Sequence, residues 1–262
     1  YEYLMCYFCM FLGMKMKFNI RNIDKLESTN SYAQNLLENG DLRHGDVISC
    51  YHQENGKGQG ENFWESERGS NITISIALQH LVIHPSQQFM ITQLVSLALV
   101  DVIEQYVTKE DVKIKWPNDI YIADKKIAGI LIQNFIKGEE IECSIVGIGV
   151  NVNQKEFYSD APNPVSIVHH SNKKIDLKQF LDQLLDRIDV YYEFHKQMIN
   201  VQDLKSKYID KLFRFNIWAT YSDGNNNFQG KIIDIDDFGR LVVKMKDGRE
   251  KIFMFKEIEF VL

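Results

Sequence analysis

The fold is constrained most strongly by residues 112 to 132, VKIKWPNDIYIADKKIAGILI. Proline fixes its own φ angle and pushes the residue before it toward extended geometry, so Trp116-Pro117 predicts a rigid corner at the end of the strand VKIK. Alternation of apolar and polar residues resumes after the corner and predicts a hairpin with Asp124-Lys125 at its tip. The corner therefore holds Asn118 and Asp119 at a fixed place, which indicates a polar site built on strands.

The neighbouring segments predict a mixed sheet with helices at intervals. Strands are predicted in DVISCYH, ITISIAL and IECSIVGIGVNVN, where apolar residues alternate or run together. A buried helix is predicted in SQQFMITQLVSLALVDVIEQYV, and a second long helix, expected to pack on the sheet, in DLKQFLDQLLDRIDVYYEFHKQMI. A short surface helix with Ser28 and Thr29 as caps is predicted in ESTNSYAQNLLENG. Because strands outnumber helices, we predict an α+β fold whose mixed sheet is covered on one face.

The pattern changes near Phe213 to short β segments separated by the turns SDGNNN, DDFG and KDG, which predict a small barrel or sandwich. With 262 residues, the chain exceeds a typical single domain. We therefore expect a flexible extension over residues 1–16, a main domain over 17–212 and a small β domain over 213–262. The apolar run in the extension is shorter than the ~18 residues of a membrane span. It also lacks the basic leader of a signal peptide.

Charge and cysteine content narrow the function classes. The net charge of −6 argues against a general nucleic-acid binder, which needs a basic surface. The four cysteines, Cys6, Cys9, Cys50 and Cys143, lack the spacing of a zinc site and are interpreted as reduced thiols. We therefore expect a cytoplasmic protein without nucleic-acid or membrane partners. The sequence names no set of metal ligands.

A glycine-rich stretch, GKGQGENFW, joins two of the predicted strands. Its glycines, Gly56, Gly58 and Gly60, let backbone N–H groups approach an anion closely, and Lys57 adds a positive charge. The stretch lacks the spacing of a Walker loop or a dinucleotide-binding turn, so an ordinary connecting loop is an equally good interpretation of these residues alone. Trp64 is suited either to the core or to stacking on a planar ring.

Polar residues at the ends of neighbouring strands extend the candidate site. Lys125 is interpreted as a solvated turn residue, whereas Lys126 points to the opposite side, beside IAGILI. Gly129 removes a side chain where a ligand could approach. Asn151 and Asn153, in GIGVNVN, add amide groups at another strand end. Ammonium, amide and open backbone are thus predicted to meet at one place.

These motifs carry a resemblance to biotin protein ligase, the enzyme that attaches biotin to the carrier domain of biotin-dependent carboxylases. It rests on ESTN at Glu27 to Asn30, GKGQGENFW, KWPNDIYIADKKIAGILIQ and GIGVNVN, in the family's order. The family's small SH3-like C-terminal domain is similar to GRLVVKMKDGREKIFMFKEIEF. The resemblance implies a mixed-sheet catalytic domain of the biotin/lipoate ligase type followed by an SH3-like β-barrel. It also implies an ATP-dependent biotin-[acetyl-CoA-carboxylase] ligase that uses Mg²⁺ and forms biotinyl-5′-AMP.

The resemblance further implies roles for individual residues. Biotin would be held by Ser28, Thr29, Asn30, Gln53, Gly56, Lys57, Lys126, Gly129 and Leu131. The adenylate would be held by Lys57, Trp64, Asn118, Lys126 and Asn151. Lys57 and Lys126 would be catalytic, because their ammonium groups offset the repulsion between the biotin carboxylate and the α-phosphate. Asp119 would be catalytic in the second step, where it orients or deprotonates the incoming amine.

The chain departs from the family pattern at two places. Family loops usually carry more basic residues where this chain has Gln59, Gly60 and Glu61. Biotinyl-adenylate is therefore expected to leak faster, unless Arg68 folds back to replace the missing charge. No winged-helix domain precedes FNIRNIDKLESTN, so a ligase without a repressor role is expected.

Two alternative functions stay open. A lipoate or octanoate ligase shares the catalytic fold, although KWPND and GKGQG argue against it. A non-catalytic biotin-sensing module would keep the residues that bind the ring but has no reason to retain both Lys57 and Lys126. For a ligase, the expected acceptor is a biotin carboxyl carrier protein. A monomer and a homodimer are both compatible with the sequence.

Overall fold

The computed structural model describes residues 15–60, 62–79, 83–108, 111–159, 162–171, 173–196 and 201–261. The larger sheet contains β1 (Asn19–Ile23), β2 (Asp46–Cys50), β3 (Ile72–Gln79), β4 (Val112–Lys115), β5 (Asp119–Ile122), β6 (Lys125–Lys137) and β7 (Glu140–Val150). The helices are α1 (Thr29–Glu38), α2 (Phe89–Ile103), α3 (Val168–Ser171), α4 (Leu177–Lys196) and α5 (Val201–Asp210). The smaller sheet contains β8 (Trp218–Ser222), β9 (Asn227–Ile235), β10 (Leu241–Met245), β11 (Glu250–Phe253) and β12 (Glu259–Phe260).

The larger sheet is mixed, with the strand order β1-β2-β3-β7-β6-β5-β4. Strands β1 and β2 are parallel and joined through α1, whereas the other neighbours are antiparallel. The predicted hairpin is confirmed, since Ile122 pairs with Lys125 and Asp119 with Gly129 across β5 and β6. The corner at Trp116-Pro117 joins β4 to β5, as the sequence predicted.

Both faces of this sheet carry apolar side chains, so the expectation of a single covered face is wrong. On one face, Ile74 and Ile148 join the main core with α2. On the other, Ile48 and Ile145 pack with Ala33 of α1 in a smaller cluster. Alternate residues of a strand point to opposite faces, and here both sets contain apolar residues. Helix α1 is therefore partly buried rather than a surface helix.

Helix α2 is the central helix of the main core. Helices α4 and α5 and strands of the larger sheet all pack against it. The expectation that α4 packs on the sheet is wrong, because α4 makes its main contact with α2. The span Pro85–Ile103 is long and apolar enough to cross a membrane by composition alone. However, 67% of it is buried inside the protein, which is the property of a core helix.

The smaller sheet is antiparallel, with the order β11-β10-β9-β8-β12, in agreement with the predicted C-terminal β domain. It is attached to the corner of the larger sheet through Trp116. The indole N–H of Trp116 donates to the Gly239 carbonyl at 2.9 Å. Its ring lies 5.8 Å from that of Phe255. One continuous apolar cluster includes residues of both sheets, so the boundary at residue 213 stays a prediction.

The first described residues, Lys15 and Met16, contact α4. Lys15 pairs with Asp186, and the backbone N–H of Met16 donates to Asp189 Oδ1 at 2.9 Å. Residues 1–14, with Cys6 and Cys9, lie outside the described residues. The expected extension over residues 1–16 therefore stays a prediction. Cys50 and Cys143 are free and buried, and burial raises the pKa of Cys143 to about 11, which makes it an unreactive thiol.

Candidate active site

Backbone without side chains forms the floor of a cavity on the α1 face of the sheet. Gly129 of β6 pairs directly with Gly149 of β7, and Gly147 pairs with Leu131. A Cβ atom on Gly147 would overlap the side-chain amide of Asn30, and one on Gly149 would overlap the Trp64 indole. The glycines therefore make room for two side chains that lie flat on the strands. Gly147 and Gly149 were quoted in GIGVNVN, but the sequence analysis gave them no role.

The first turn of α1 forms one wall of this inner cavity. Thr29 donates its backbone N–H to Gln53 Oε1 at 2.8 Å. The Asn30 amide donates to the Leu131 carbonyl at 3.1 Å and to Gln133 Oε1 at 3.2 Å. Ser28, Thr29, Asn30 and Gln53 are all buried, and Ser28 makes no side-chain cap bond to the helix. These hydroxyl and amide groups are arranged for a ligand with several hydrogen-bonding atoms.

Ser75 of β3, which was not among the predicted site residues, completes this wall. Its hydroxyl lies 2.8 Å from Thr29 Oγ1 and 2.5 Å from Asn30 Oδ1. Because a hydroxyl carries one hydrogen, Ser75 donates to Asn30 Oδ1 and accepts from Thr29. The alternation of ITISIAL places Thr73 and Ser75 on the face opposite the main core, but it does not distinguish a site residue from a solvent-facing one.

The glycine-rich stretch forms a hairpin over the inner cavity, here called the flap (residues 56 to 64). Its arms are joined by Gly58 N–H to Asn62 O at 2.7 Å and by Trp64 N–H to Gly56 O at 2.8 Å. Lys57 lies on the first arm and lines the cavity. Trp64 ends the second arm and lies over the glycine floor. The inner cavity measures about 110 Å³, which is below the ~300–1,000 Å³ of ligand sites.

The flap and Trp64 must therefore move for a ligand to enter. We expect backbone amides from Gln53 to Trp64 to exchange hydrogen rapidly in the ligand-free protein, since few apolar side chains hold the flap. Biotin and ATP, the ligands that the family resemblance implies, should slow that exchange about tenfold or more, which corresponds to about 1.4 kcal/mol or more. Hydrogen exchange of this peptide with and without both ligands is the measurement. Equal protection in the two states would contradict a moving flap.

Lys126 and Asp119 form an ion pair across the hairpin. Lys126 Nζ lies 2.7 Å from Asp119 Oδ1, and about a quarter of each side chain is exposed, 27% and 21%. The ammonium group also lies 5.7 Å from the centre of the Trp64 ring. Both residues line the inner cavity beside Gly129. The pair places a positive charge at the edge of the amide-lined wall.

Asn118 connects the corner to the cavity floor. Its side-chain amide donates to the Ile130 carbonyl, and its own carbonyl accepts from the Ile130 N–H at 3.0 Å. The corner therefore fixes Asn118 through β6, and Asp119 follows directly at the start of β5. The Asn118 side-chain amide thus bonds to the backbone of β6 and also lines the inner cavity.

A second, outer cavity of about 620 Å³ adjoins the first. The two share Asn62, Phe63, Trp64, Asp119 and Lys126. The indole N–H of Trp64 and Oδ1 of Asn151 are buried there and have no hydrogen-bond partner among the described residues. Such groups each cost about 1–3 kcal/mol when left unpaired. An unpaired donor and an unpaired acceptor on residues that line these cavities favour a polar ligand.

Most of the residues predicted from the sequence meet at these two cavities. The inner cavity is lined by Ser28, Thr29, Asn30, Gln53, Lys57, Trp64, Asn118, Asp119, Lys126, Gly129 and Leu131. Asn151 lines only the outer cavity. Gly56 lines neither, because it packs against the Trp64 backbone inside the flap. Asn153 is also separate, since its amide bonds to Ile175.

The charge near the flap tip differs from the sequence-based expectation. Arg68 pairs with the exposed Asp24 and does not fold back on the flap. The side chain that does reach the tip is Lys256, from the turn between β11 and β12. A Cβ atom on Gly60 would lie 2.6 Å from Lys256 Nζ. Glu61 lies outside the described residues, so the expected leakage of adenylate stays a prediction.

Two protein-family models match this chain, one in the larger domain and one in the C-terminal β domain. Residues 23–151 match the model of the biotin/lipoate A/B protein ligase family, and residues 219–261 match the biotin protein ligase C terminal domain. The bifunctional ligase/repressor BirA of Bacillus subtilis is 29% identical over 88% of this chain and 70% of its own length. The biotin--[acetyl-CoA-carboxylase] ligase of Paracoccus denitrificans is 27% identical over 53% of this chain and 59% of its own length.

Similarity to a solved structure extends over nearly the whole chain. A biotin protein ligase from Aquifex aeolicus, in complex with biotin and ATP, superposes with a TM-score of 0.76 and 22% identity. The match covers 92% of this chain and 97% of that one. At this identity the likeness establishes the fold, with its mixed sheet and C-terminal β domain.

Proposed function

Because this chain belongs to the biotin/lipoate A/B protein ligase family and carries the biotin protein ligase C-terminal domain, we propose that it is an ATP-dependent biotin protein ligase. It activates biotin as biotinyl-5′-AMP and transfers biotin to a lysine of a biotin carboxyl carrier protein. The observation that carries this proposal is the pair of adjoining cavities with Lys126 between them. The amide-lined inner cavity suits the ureido ring of biotin, and the outer cavity suits a nucleotide.

Binding of biotin uses groups that are already oriented. The hydroxyls of Thr29 and Ser75 and the amide of Asn30 hold one another in fixed directions, so little entropy is lost when a ring with both N–H and C=O groups binds. Gly129 and Leu131 leave an apolar path along β6 toward Lys126. A chain that follows this path brings its carboxylate to the ammonium group.

In the first step, two anions approach each other. The biotin carboxylate oxygen forms a bond to the α-phosphorus of ATP, and the bond to the bridging oxygen breaks, with the electron pair leaving on pyrophosphate. Lys126 and Lys57 offset the charge repulsion and the charge that develops in the transition state. In the ligand-free protein Asp119 neutralises Lys126. The arriving phosphate competes with Asp119 for that ammonium group, so the carboxylate becomes available for the second step.

In the second step, the ε-amine of the acceptor lysine attacks the mixed anhydride and AMP leaves. The amine must be uncharged to act as a nucleophile, and Asp119 lies where it accepts the proton or orients the amine. Its place at the corner, between the two cavities, keeps the carboxylate close to the anhydride.

Mg²⁺ would bind together with ATP, through the phosphates of the nucleotide. Among the described residues no group of three or more His, Cys, Asp or Glu side chains could hold a metal ion. Mg²⁺ commonly binds through substrate phosphates and one or two carboxylates. Asp119 lines the outer cavity and would be the carboxylate for such an ion, whereas Glu65, also in the lining, already accepts hydrogen bonds from Gln154, Tyr158 and Ser159. The ion would supply additional charge neutralisation at the phosphates.

Asp119→Asn is expected to slow transfer from biotinyl-adenylate more than it slows formation of the adenylate. A general base contributes about 10²–10⁴-fold to a step, and only transfer involves an amine. The measurement compares transfer from isolated adenylate to a carrier domain with biotin-dependent pyrophosphate exchange. Asp124→Asn is the control, because this carboxylate lies exposed at the tip of the same hairpin. Equal losses in both steps would contradict a role of Asp119 in the transfer step alone.

Labelling of an acceptor separates biotin ligation from the two alternatives. With ATP, the protein should attach biotin to the lysine of a biotin carboxyl carrier domain and should not attach lipoate or octanoate. The C-terminal match over residues 219–261 favours biotin over those acids. Preferential attachment of lipoate would reject the biotin assignment, and binding of biotin without attachment would indicate a sensor. The cytoplasmic location and the oligomeric state stay open proposals.

A further inference from the structure

Lys115 is a cation at the outer cavity that the sequence analysis did not single out. It ends β4, directly before the corner, and pairs across the strands with Asp119. Its side chain lines the outer cavity together with Lys126 and Asn151. The strand VKIK places Lys113 and Lys115 on the same face, and alternating lysines are typical of a solvent-exposed edge strand.

The surroundings of Lys115 leave its ammonium group without an anion. Nζ lies 5.2 Å from the centre of the Tyr121 ring and 5.2 Å from that of Phe260, a residue of β12. The Lys115 ammonium group has no ion pair and no hydrogen bond among the described residues. Burial lowers the pKa of Lys115. An ammonium group has three N–H donors, and the two rings satisfy them only weakly.

Nearby charges do not neutralise this group. Asp119 is the carboxylate closest in the strand register, but it is engaged by Lys126 at 2.7 Å. The other charged groups that act on Lys115 are Lys126, Arg214 and Glu259, of which two are positive. Glu65, the other carboxylate in the lining, accepts hydrogen bonds from Gln154, Tyr158 and Ser159. A cavity lined by an ammonium group that no carboxylate pairs is complementary to an anion.

We propose that Lys115 binds the pyrophosphate portion of the nucleotide, the β- and γ-phosphates of ATP and then the leaving pyrophosphate. The proposal rests on the proposed function. If Lys126 contacts the α-phosphate, the neighbouring cation in the same cavity is placed for the phosphates beyond it. Lys115 stays protonated throughout, while the electron pair of the broken bond leaves on the bridging oxygen. Because Phe260 covers Lys115, the C-terminal sheet takes part in forming this anion site.

Lys115→Met is the variant that tests this role. Methionine keeps an unbranched chain between Tyr121 and Phe260 but removes the charge. The dissociation constant for inorganic pyrophosphate, measured by calorimetry, and the KM for ATP in the exchange reaction should each rise about tenfold or more. Transfer of biotin from isolated biotinyl-adenylate to a carrier domain should stay within twofold of the parent, since no pyrophosphate takes part in it.

Two matched variants separate this role from a structural one. Lys113→Met removes a lysine from the same strand and face and should leave both constants unchanged. Lys115→Arg keeps the charge and should restore much of the pyrophosphate binding. If Lys115→Met proves too unstable to assay, Lys115→Gln gives the same comparison.

Three outcomes would overturn the assignment. Pyrophosphate binding unchanged within twofold in Lys115→Met would show that the ammonium group binds no phosphate. Equal losses in exchange and transfer would indicate a structural role. A loss confined to transfer would place an acceptor carboxylate at Lys115 instead. A parent protein without exchange activity would instead count against the ligase function, and pyrophosphate binding would still test Lys115.

Discussion

Lys126→Ala should lower biotin-dependent exchange of pyrophosphate into ATP by about a hundredfold or more, while the protein stays folded. Removing one hydrogen-bond donor that faces a developing charge costs about 10²–10³-fold in other enzymes. Both Lys126 and Asp119 line the cavity, and neither belongs to the apolar core. The fold should therefore survive the substitution. Initial rates of exchange and the melting temperature are the two measurements.

Lys125→Ala is the control for this variant. Lys125 precedes Lys126 on the same hairpin but is exposed and does not line either cavity. It should exchange pyrophosphate at the parental rate. Exchange within a few-fold of the parent in Lys126→Ala would show that this ammonium group does not act on the α-phosphate.

Gly147→Ala should weaken biotin binding about a hundredfold. The added methyl group would overlap the Asn30 amide, which is bonded to Ser75 and Leu131. Displacing that amide leaves at least two buried polar groups unpaired, at about 1–3 kcal/mol each. A combined cost of roughly 3 kcal/mol corresponds to about a hundredfold weaker binding. Calorimetric titration with biotin in the absence of ATP is the measurement.

Ile145→Val controls for general loss of stability. It changes the neighbouring residue on the same face of β7 and removes one methyl group from the small cluster under α1, at a cost of about 0.5–1.5 kcal/mol. Biotin binding should be retained. If Gly147→Ala binds biotin as tightly as the parent, the Asn30 network is not the ring-binding wall.

The strands around the site could be predicted because their information is local. Trp116-Pro117 and the alternation after it specify a corner and a hairpin without reference to the rest of the chain. The pattern of the small C-terminal strands is local in the same way. The residues of the inner cavity, however, were assigned through the family resemblance. From the residues alone, an ordinary loop and an anion-binding loop were equally good interpretations of the glycine-rich stretch.

The parts that the sequence did not predict depend on contacts between distant segments. Ser75 gains its role only when α1 packs beside β3, and no local pattern distinguishes it from a solvent-facing serine. Lys256 reaches Gly60 from the C-terminal sheet. Arg68 was expected at the flap, but a closer carboxylate, Asp24, binds it. No local pattern in VKIK predicts that Phe260, from the C-terminal sheet, lies against Lys115.

The central claim is that this chain activates biotin with ATP. The most direct measurement is the exchange of labelled pyrophosphate into ATP by the purified protein, with and without biotin, and with lipoate or octanoate in its place. No acceptor protein is needed, so the result depends only on the two cavities. We predict exchange that requires biotin and is not supported by the other two acids. Exchange driven by lipoate or octanoate, or biotin binding without any exchange, would contradict the account.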